Sequence, residues 1–170
     1  MDIFYLIMSD KFKSFLISFI YILILFGIDR ITKIQILNIL EEKDKVDIYI
    51  NSFLSFYLVW NKGIGFGLFS FDGSIAYYLI TFIIFVINGI IIYLVFIEKG
   101  IKVYFLLTIL GGSLGNLFDR LYYNAVPDFI DLNYQGYHWF IFNVADIFIT
   151  VGIICLIFAE LINYKSNDEK

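Results

Sequence analysis

The sequence predicts a membrane all-α protein: four transmembrane helices that carry a small extramembrane β-sheet and a surface loop, in a single domain over 1–170. Three observations predict it. Hydrophobic residues make up 61% of the chain, against about 45–50% in soluble domains, and mean hydropathy is +0.84. The apolar residues come in long runs, and about 20 helical residues cross the ~30 Å hydrocarbon layer. Between the first and second runs lies a stretch of another character, rich in aromatic and β-branched residues and punctuated by glycine.

The first span is read over 12–37. Ser14 to Ile28 is free of charge, and then Asp29, Arg30 and Lys33 arrive together. No small-residue cleavage site is visible, so the segment reads as an uncleaved anchor. Asp29 and Lys33 form an i,i+4 pair in the favourable acid-first order. That pair is either a helix-end ion pair at the lipid boundary or a functional one. Residues 38–47 are polar and read as water-facing.

The β segment is read over 48–70. Asn51-Ser52 and Asn61-Lys62-Gly63 are turn signals, and the short runs between them suit strands rather than a span. Phe56, Tyr57 and Trp60 belong at headgroup depth and suit a clamp over a substrate. Gly63, Gly65 and Gly67 alternate. They either admit another chain close to the backbone or simply kink a hairpin.

The second span is read over 74–97, after an Asp72-Gly73 turn, with Asn88 and Gly89 as packing positions. The third covers 101–120, where Gly111 and Gly115 let neighbouring helices approach. An exposed loop over 121–137 contains the only proline, Pro127. The fourth span covers 139–162.

Four spans place both termini on one side. The positive-inside count is tied. Lys11, Lys13, Lys99, Lys102, Lys165 and Lys170 lie on the termini side, and Arg30, Lys33, Lys43, Lys45, Lys62 and Arg120 on the other. More of the acids fall on the second side, a weak indication of cytoplasmic termini.

Several classes are excluded. A net charge of −4 offers no basic patch for nucleic acid. Cys155 is the only cysteine, so no internal disulfide or cysteine-based metal cluster is possible. His138 is the only histidine and reads as an interfacial residue at a loop–helix border. Neither a metal nor a cofactor is expected.

The acids then stand out. Asp119, Asp128, Asp131, Asp146 and Asp29 are expected to converge among apolar walls. An acid at membrane depth costs several kcal/mol, from about 2.5 upward, unless paired or solvated, and so is a functional candidate. Asn116 and Asp119 share a helix face, as do Asn143 and Asp146. If the last helix starts near Trp139, Asp146 lies roughly 10 Å in. Asp128, stiffened by Pro127, can fold back to face it. Two close carboxylates share one proton. The ionised one can take a proton from water while the protonated one donates to a carbonyl. Asn116 and Asn143 can orient the acids, and Arg120 can pair with Asp119. The plainer alternative is acids at span ends that face water. Two other classes compete: a proton or ion conductor, and an assembly scaffold built on the Gly111/Gly115 face.

The chain resembles the lipoprotein signal peptidase (signal peptidase II) family over nearly its whole length. The motifs run in order: D-R-x-T-K at Asp29 to Lys33, N-x-G at Asn61 to Gly63 with Phe66 after it, G-G-x-x-G-N-x-x-D-R at Gly111 to Arg120, V-x-D-F at Val126 to Phe129, and F-N-V-A-D at Phe142 to Asp146. The resemblance implies a catalytic pair at Asp128 and Asp146. It implies supporting roles for Asp29, Lys33, Asn61, Gly63, Gly112, Asn116, Asp119, Arg120, Val126, Asn143 and Ala145. It further implies a prolipoprotein substrate with a diacylglyceryl-cysteine, a bacterial inner-membrane location with a periplasmic active site, contact with membrane lipid, and inhibition by globomycin-like cyclic peptides. Ile64 and Gly65 depart from the family pattern after the N-x-G glycine. Asn124 stands where glycine is common, and asparagine tolerates left-handed backbone angles.

Overall fold

The structure, a computed structural model, describes residues 3–63, 74–134 and 137–168, with side chains over 10–63, 75–134 and 137–162. The expectations for Ile64, Gly65, Phe66, Gly67 and the Asp72-Gly73 turn lie outside the described residues. In chain order the elements are α1 (Ile3–Lys43), β1 (Asp47–Asn51), β2 (Leu54–Asn61), α2 (Ser74–Ile97), α3 (Lys102–Tyr123), β3 (Val126–Tyr134), β4 (Tyr137–Phe142) and α4 (Val144–Asp168).

Helix α1 exceeds its expected bounds at both ends. The segment read as polar and water-facing after residue 37 continues as helix to Lys43. The reason is a short apolar stripe. Ile36, Ile39 and Leu40 recur at helical spacing and pack beneath the sheet with Val46, Phe56, Leu58 and Phe129. Glu41, Glu42 and Lys43 remain exposed. Asp44 then turns the chain out with φ 59°.

Helix α2 occupies the expected range. Helix α3 is the axis of the bundle and packs against α1, α2 and α4. Its Leu106, Ile109 and Leu110 form a core with Ile91, joined by Ile22, Val95, Ile149 and Leu156 from the other helices. By length and composition α1, α2 and α4 qualify as membrane spans, over Asp10–Lys43, Ile75–Ile97 and Val144–Ile162. Helix α3 does not qualify, so the expected four spans become three on this measure. The cause is its content of Gly111, Gly112, Ser113, Gly115, Asn116, Asp119 and Arg120, all buried against protein. A helix that faces its neighbours need not be greasy.

Small residues set the helix spacing. A Cβ on Gly111 would lie 2.9 Å from Leu25 Cβ of α1, and one on Gly115 would lie 2.6 Å from Asp29 Oδ2. A Cβ on Gly112 would strike the Ala145 carbonyl of α4.

The sheet is antiparallel in the order β1-β2-β3-β4. The first hairpin follows α1 and the second follows α3, so pairing β2 to β3 brings both to the same end of the bundle. Asn61 pairs with Val126, Trp60 with Pro127 and Val59 with Asp128. The expected exposed loop over 121–137 is therefore corrected: most of it is β3, with Val126, Pro127, Asp128 and Phe129 buried. Asn124 ends α3 in the left-handed region at φ 56°, as its residue type allows. The fourth span is also corrected. Residues 139–142 belong to β4, and α4 starts at Val144. His138 accordingly lies on a strand.

Candidate active site

Shortening α4 moves Asp146 from mid-helix to its first turn. The helix start is a reciprocal capping box. Asn143 Oδ1 accepts the Asp146 backbone N–H at 3.2 Å, and Asp146 Oδ2 accepts the Asn143 backbone N–H at 3.1 Å. Asn143 is fully buried, and its side-chain Nδ2 donates to Asp128 Oδ1 at 2.6 Å. One residue thus ties both carboxylates together.

Each carboxylate has its own second support. Asn116 Nδ2 donates to Asp146 Oδ1 at 2.8 Å. Asn61 Nδ2 donates to Asp128 Oδ2 at 2.8 Å. These amides are themselves fixed. Lys33 Nζ donates to Asn116 Oδ1 at 2.9 Å, and the Gly63 N–H donates to Asn61 Oδ1 at 2.8 Å. The far oxygen of each amide is occupied, so each amide nitrogen must point at its acid.

Asp29 and Lys33 are not a helix-end pair at the lipid boundary: α1 continues to Lys43, and both are fully buried. Lys33 Nζ lies 2.6 Å from Asp119 Oδ2 and 3.0 Å from Asp29 Oδ2. Arg30 bridges the same two acids, at 2.5 Å from Asp119 and 2.9 Å from Asp29. Two cations and two anions balance, as a buried ion cluster requires. Asp29 Oδ1 also accepts the Ala145 N–H at 3.0 Å, an orphan donor of the α4 first turn. Asp29 thereby fixes the helix end that carries Asp146.

Two expectations fail. Arg120 does not hydrogen-bond Asp119. Its Nη2 donates to the Gly63 carbonyl at 2.8 Å, and Tyr77 donates to the Arg120 carbonyl at 2.8 Å. With Asp119 already held by Arg30 and Lys33, Arg120 is free to secure the Asn61–Gly63 turn. Nor does Asp131 join the cluster. It lies 2.7 Å from His138 Nδ1 and accepts from Asn133 at 3.1 Å, across the sheet. Phe56 also turns inward, onto Phe129, whereas Tyr57 and Trp60 stay exposed.

The electrostatics of the strand acid follow from this enclosure. Burial pushes the Asp128 carboxyl up to about 7, and the nearby Asp146 charge adds to the rise. The hydrogen bonds from Asn61 and Asn143, and the Lys33 charge, oppose it. Among the described residues no group of three or more His, Cys, Asp or Glu stands ready to hold a metal.

The model of the family described as signal peptidase (SPase) II matches residues 21–162. The chain belongs to the signal peptidase II family. It is therefore a protease. The lipoprotein signal peptidase of Pelagibacter ubique is 52% identical over 159 residues, covering 93% of this chain and 96% of that one. That of Anaplasma phagocytophilum is 35% identical over 151 residues, covering 88% and 94%. A solved chain described as a bacterial membrane enzyme shares 30% identity at a TM-score of 0.68, covering 88% of this chain and 90% of that one. A second so described shares 29% at 0.66, covering 85% and 92%.

Sequence reasoning missed Arg30 and Tyr77 as site-building residues. Arg30 carried a signal, since a second cation beside the Asp29/Lys33 pair implies a second acid. Tyr77 carried none; it is one of 13 tyrosines.

Proposed function

We propose that this protein cuts the signal peptide from prolipoproteins just before a cysteine that bears diacylglyceryl, using Asp128 and Asp146 as an acid–base pair. The observation that carries the reading is the double engagement of Asn143, which hydrogen-bonds to both carboxylates at once. The pair holds one proton. The ionised member takes a proton from a water molecule, whose oxygen attacks the scissile carbonyl carbon. The neutral member donates its proton to the carbonyl oxygen. Return of a proton to the amide nitrogen breaks the C–N bond. The products are a peptide carboxylate and the free amine of the lipid-bearing cysteine.

In this reading α3 is a fourth span, shielded from lipid by its neighbours. The protein lies in the bacterial inner membrane with both termini cytoplasmic and the sheet periplasmic. Membrane lipid borders the site, and globomycin-like cyclic peptides block it by occupying the substrate's place. The test is incubation of the purified protein in lipid nanodiscs with a diacylated prolipoprotein. Asp128→Asn and Asp146→Asn are each expected to lose cleavage by a factor on the order of 10²–10⁴ with thermal unfolding unchanged. Wild-type cleavage by either variant would end the dyad assignment.

A further inference from the structure

One side of the catalytic pair opens away from the sheet core. A space of about 420 Å³ lies between the sheet and the outer face of α4. Leu132 of β3 and Phe140 and Phe142 of β4 form one wall, and Ile147 and Val151 of α4 form the other. Asp146, in the first turn of α4, also lines it. Leu132, Phe140, Ile147 and Val151 are each more than a third exposed, on a helix and sheet face that apolar surroundings must cover. The groove thus runs from a catalytic carboxylate toward lipid.

We infer that this groove receives an acyl chain of the substrate's diacylglyceryl group during cleavage, an assignment that rests on the proposed function. Three observations select that occupant. The first is continuity: the lipid-bearing cysteine adjoins the scissile bond, so its chains start within reach of Asp146. The second is chemistry. Apart from Asp146, only Thr150 adds a polar side chain to the walls. An extended peptide placed there would leave backbone N–H and C=O groups unpaired at several kcal/mol each; a fatty chain has none to satisfy. The third is shape. Two aromatic rings face β-branched side chains, a slot suited to a narrow flexible chain. Val151, one helical turn beyond Ile147, marks its outer end.

Photolabelling tests this directly. Asp128→Asn in nanodiscs is mixed with prolipoprotein that carries a diazirine in its acyl chain, irradiated and mapped by mass spectrometry. Label is expected on Phe140, Ile147 and Val151. Label spread over the outward faces of α1 and α2 would overturn the assignment. Equal labelling of the groove by a free photoreactive phospholipid at the same mole fraction would overturn it too, since any lipid would then do. In kinetics, Val151→Trp should raise KM about tenfold, equivalent to about 1.4 kcal/mol, with kcat retained. Ile153→Trp, which points away from the groove, serves as control for bulk on α4. Unchanged KM in Val151→Trp would refute the groove. Cleavage by Asp128→Asn would instead refute the dyad, while the label map still decides the groove, because the product keeps its acyl chain.

Discussion

Asp128 sits where a carboxylate is hard to keep ionised, buried on a strand with a second acid beside it. The fold favours its neutral form, and the sign of the pH dependence follows. The folded value, about 7, lies above the ordinary 3.8. Stability from the neutral form is fully present below about 3.8 and is lost as pH rises through about 7. In the proposed mechanism the same proton is the one donated to the scissile carbonyl. Catalysis is therefore expected to fall as pH passes about 7, which a kcat profile on a fixed substrate checks; a flat profile from about pH 5 to about pH 8 would contradict it. Asp29 behaves differently, because it touches helix and cations rather than the reacting atoms. Asp29→Asn removes one anion from a balanced buried cluster, a change that costs about 3–5 kcal/mol. Asparagine still offers an oxygen to the Ala145 N–H, so chemistry should suffer less than stability. Thermal unfolding in detergent, read beside activity, checks this. A well-folded but inactive Asp29→Asn protein would contradict it.

Helix α3 links the elements by closeness. Gly112 lets it meet the Ala145 carbonyl, one residue before Asp146. Gly112→Ala is expected to push α4 away, costing about 1–3 kcal/mol by overpacking and lowering kcat as Asn116 and Asp146 separate. Gly89 in α2 is the control, with nothing within 4 Å of an added Cβ; Gly89→Ala should be neutral or stabilising. Unfolding midpoints and kcat for the two variants decide it, and equal behaviour would refute the argument. The element scale also shows what was legible in the sequence. The second span is readable to the residue, because Ser74 to Ile97 is long, largely apolar and carries no charged side chain. The start of α4 is not. Trp139 to Phe142 is as apolar as the helix that follows, and hydropathy does not separate a strand on the membrane surface from a span. Pro127 similarly suggested a loop, but it lies beside Asp128 in a strand whose pairing partner is far back in the chain. The acids and amides were legible as types and spacings. Their partners were not, because Arg120 to Gly63 and Asp29 to Ala145 are contacts that only the assembled fold creates.

At the scale of the whole molecule, the sheet constrains the topology more than the charges do. Strands β2 and β3 belong to hairpins separated by α2 and α3, yet they pair. The chain that leaves the first hairpin must travel down α2 and return along α3 to the same end. At 1.5 Å per residue, the 22 residues of α3 cover about 33 Å, the length that the proposed fourth span needs. The polar groups of α3 are tolerated because α1, α2 and α4 surround them, and those that build the site collect near the sheet end. This arrangement disfavours a conductor, which needs polar groups along the full depth. The proposed orientation, with the sheet periplasmic, sets a sidedness that can be tested. Lys45 and Lys99 are exposed at opposite ends of the molecule. In a Cys155→Ala background, Lys45→Cys should react with a membrane-impermeant maleimide added to spheroplasts, and Lys99→Cys should react only after the membrane is opened. If both positions were labelled from the same side, α2 would not span, and the route from the first hairpin to the second would have to be redrawn.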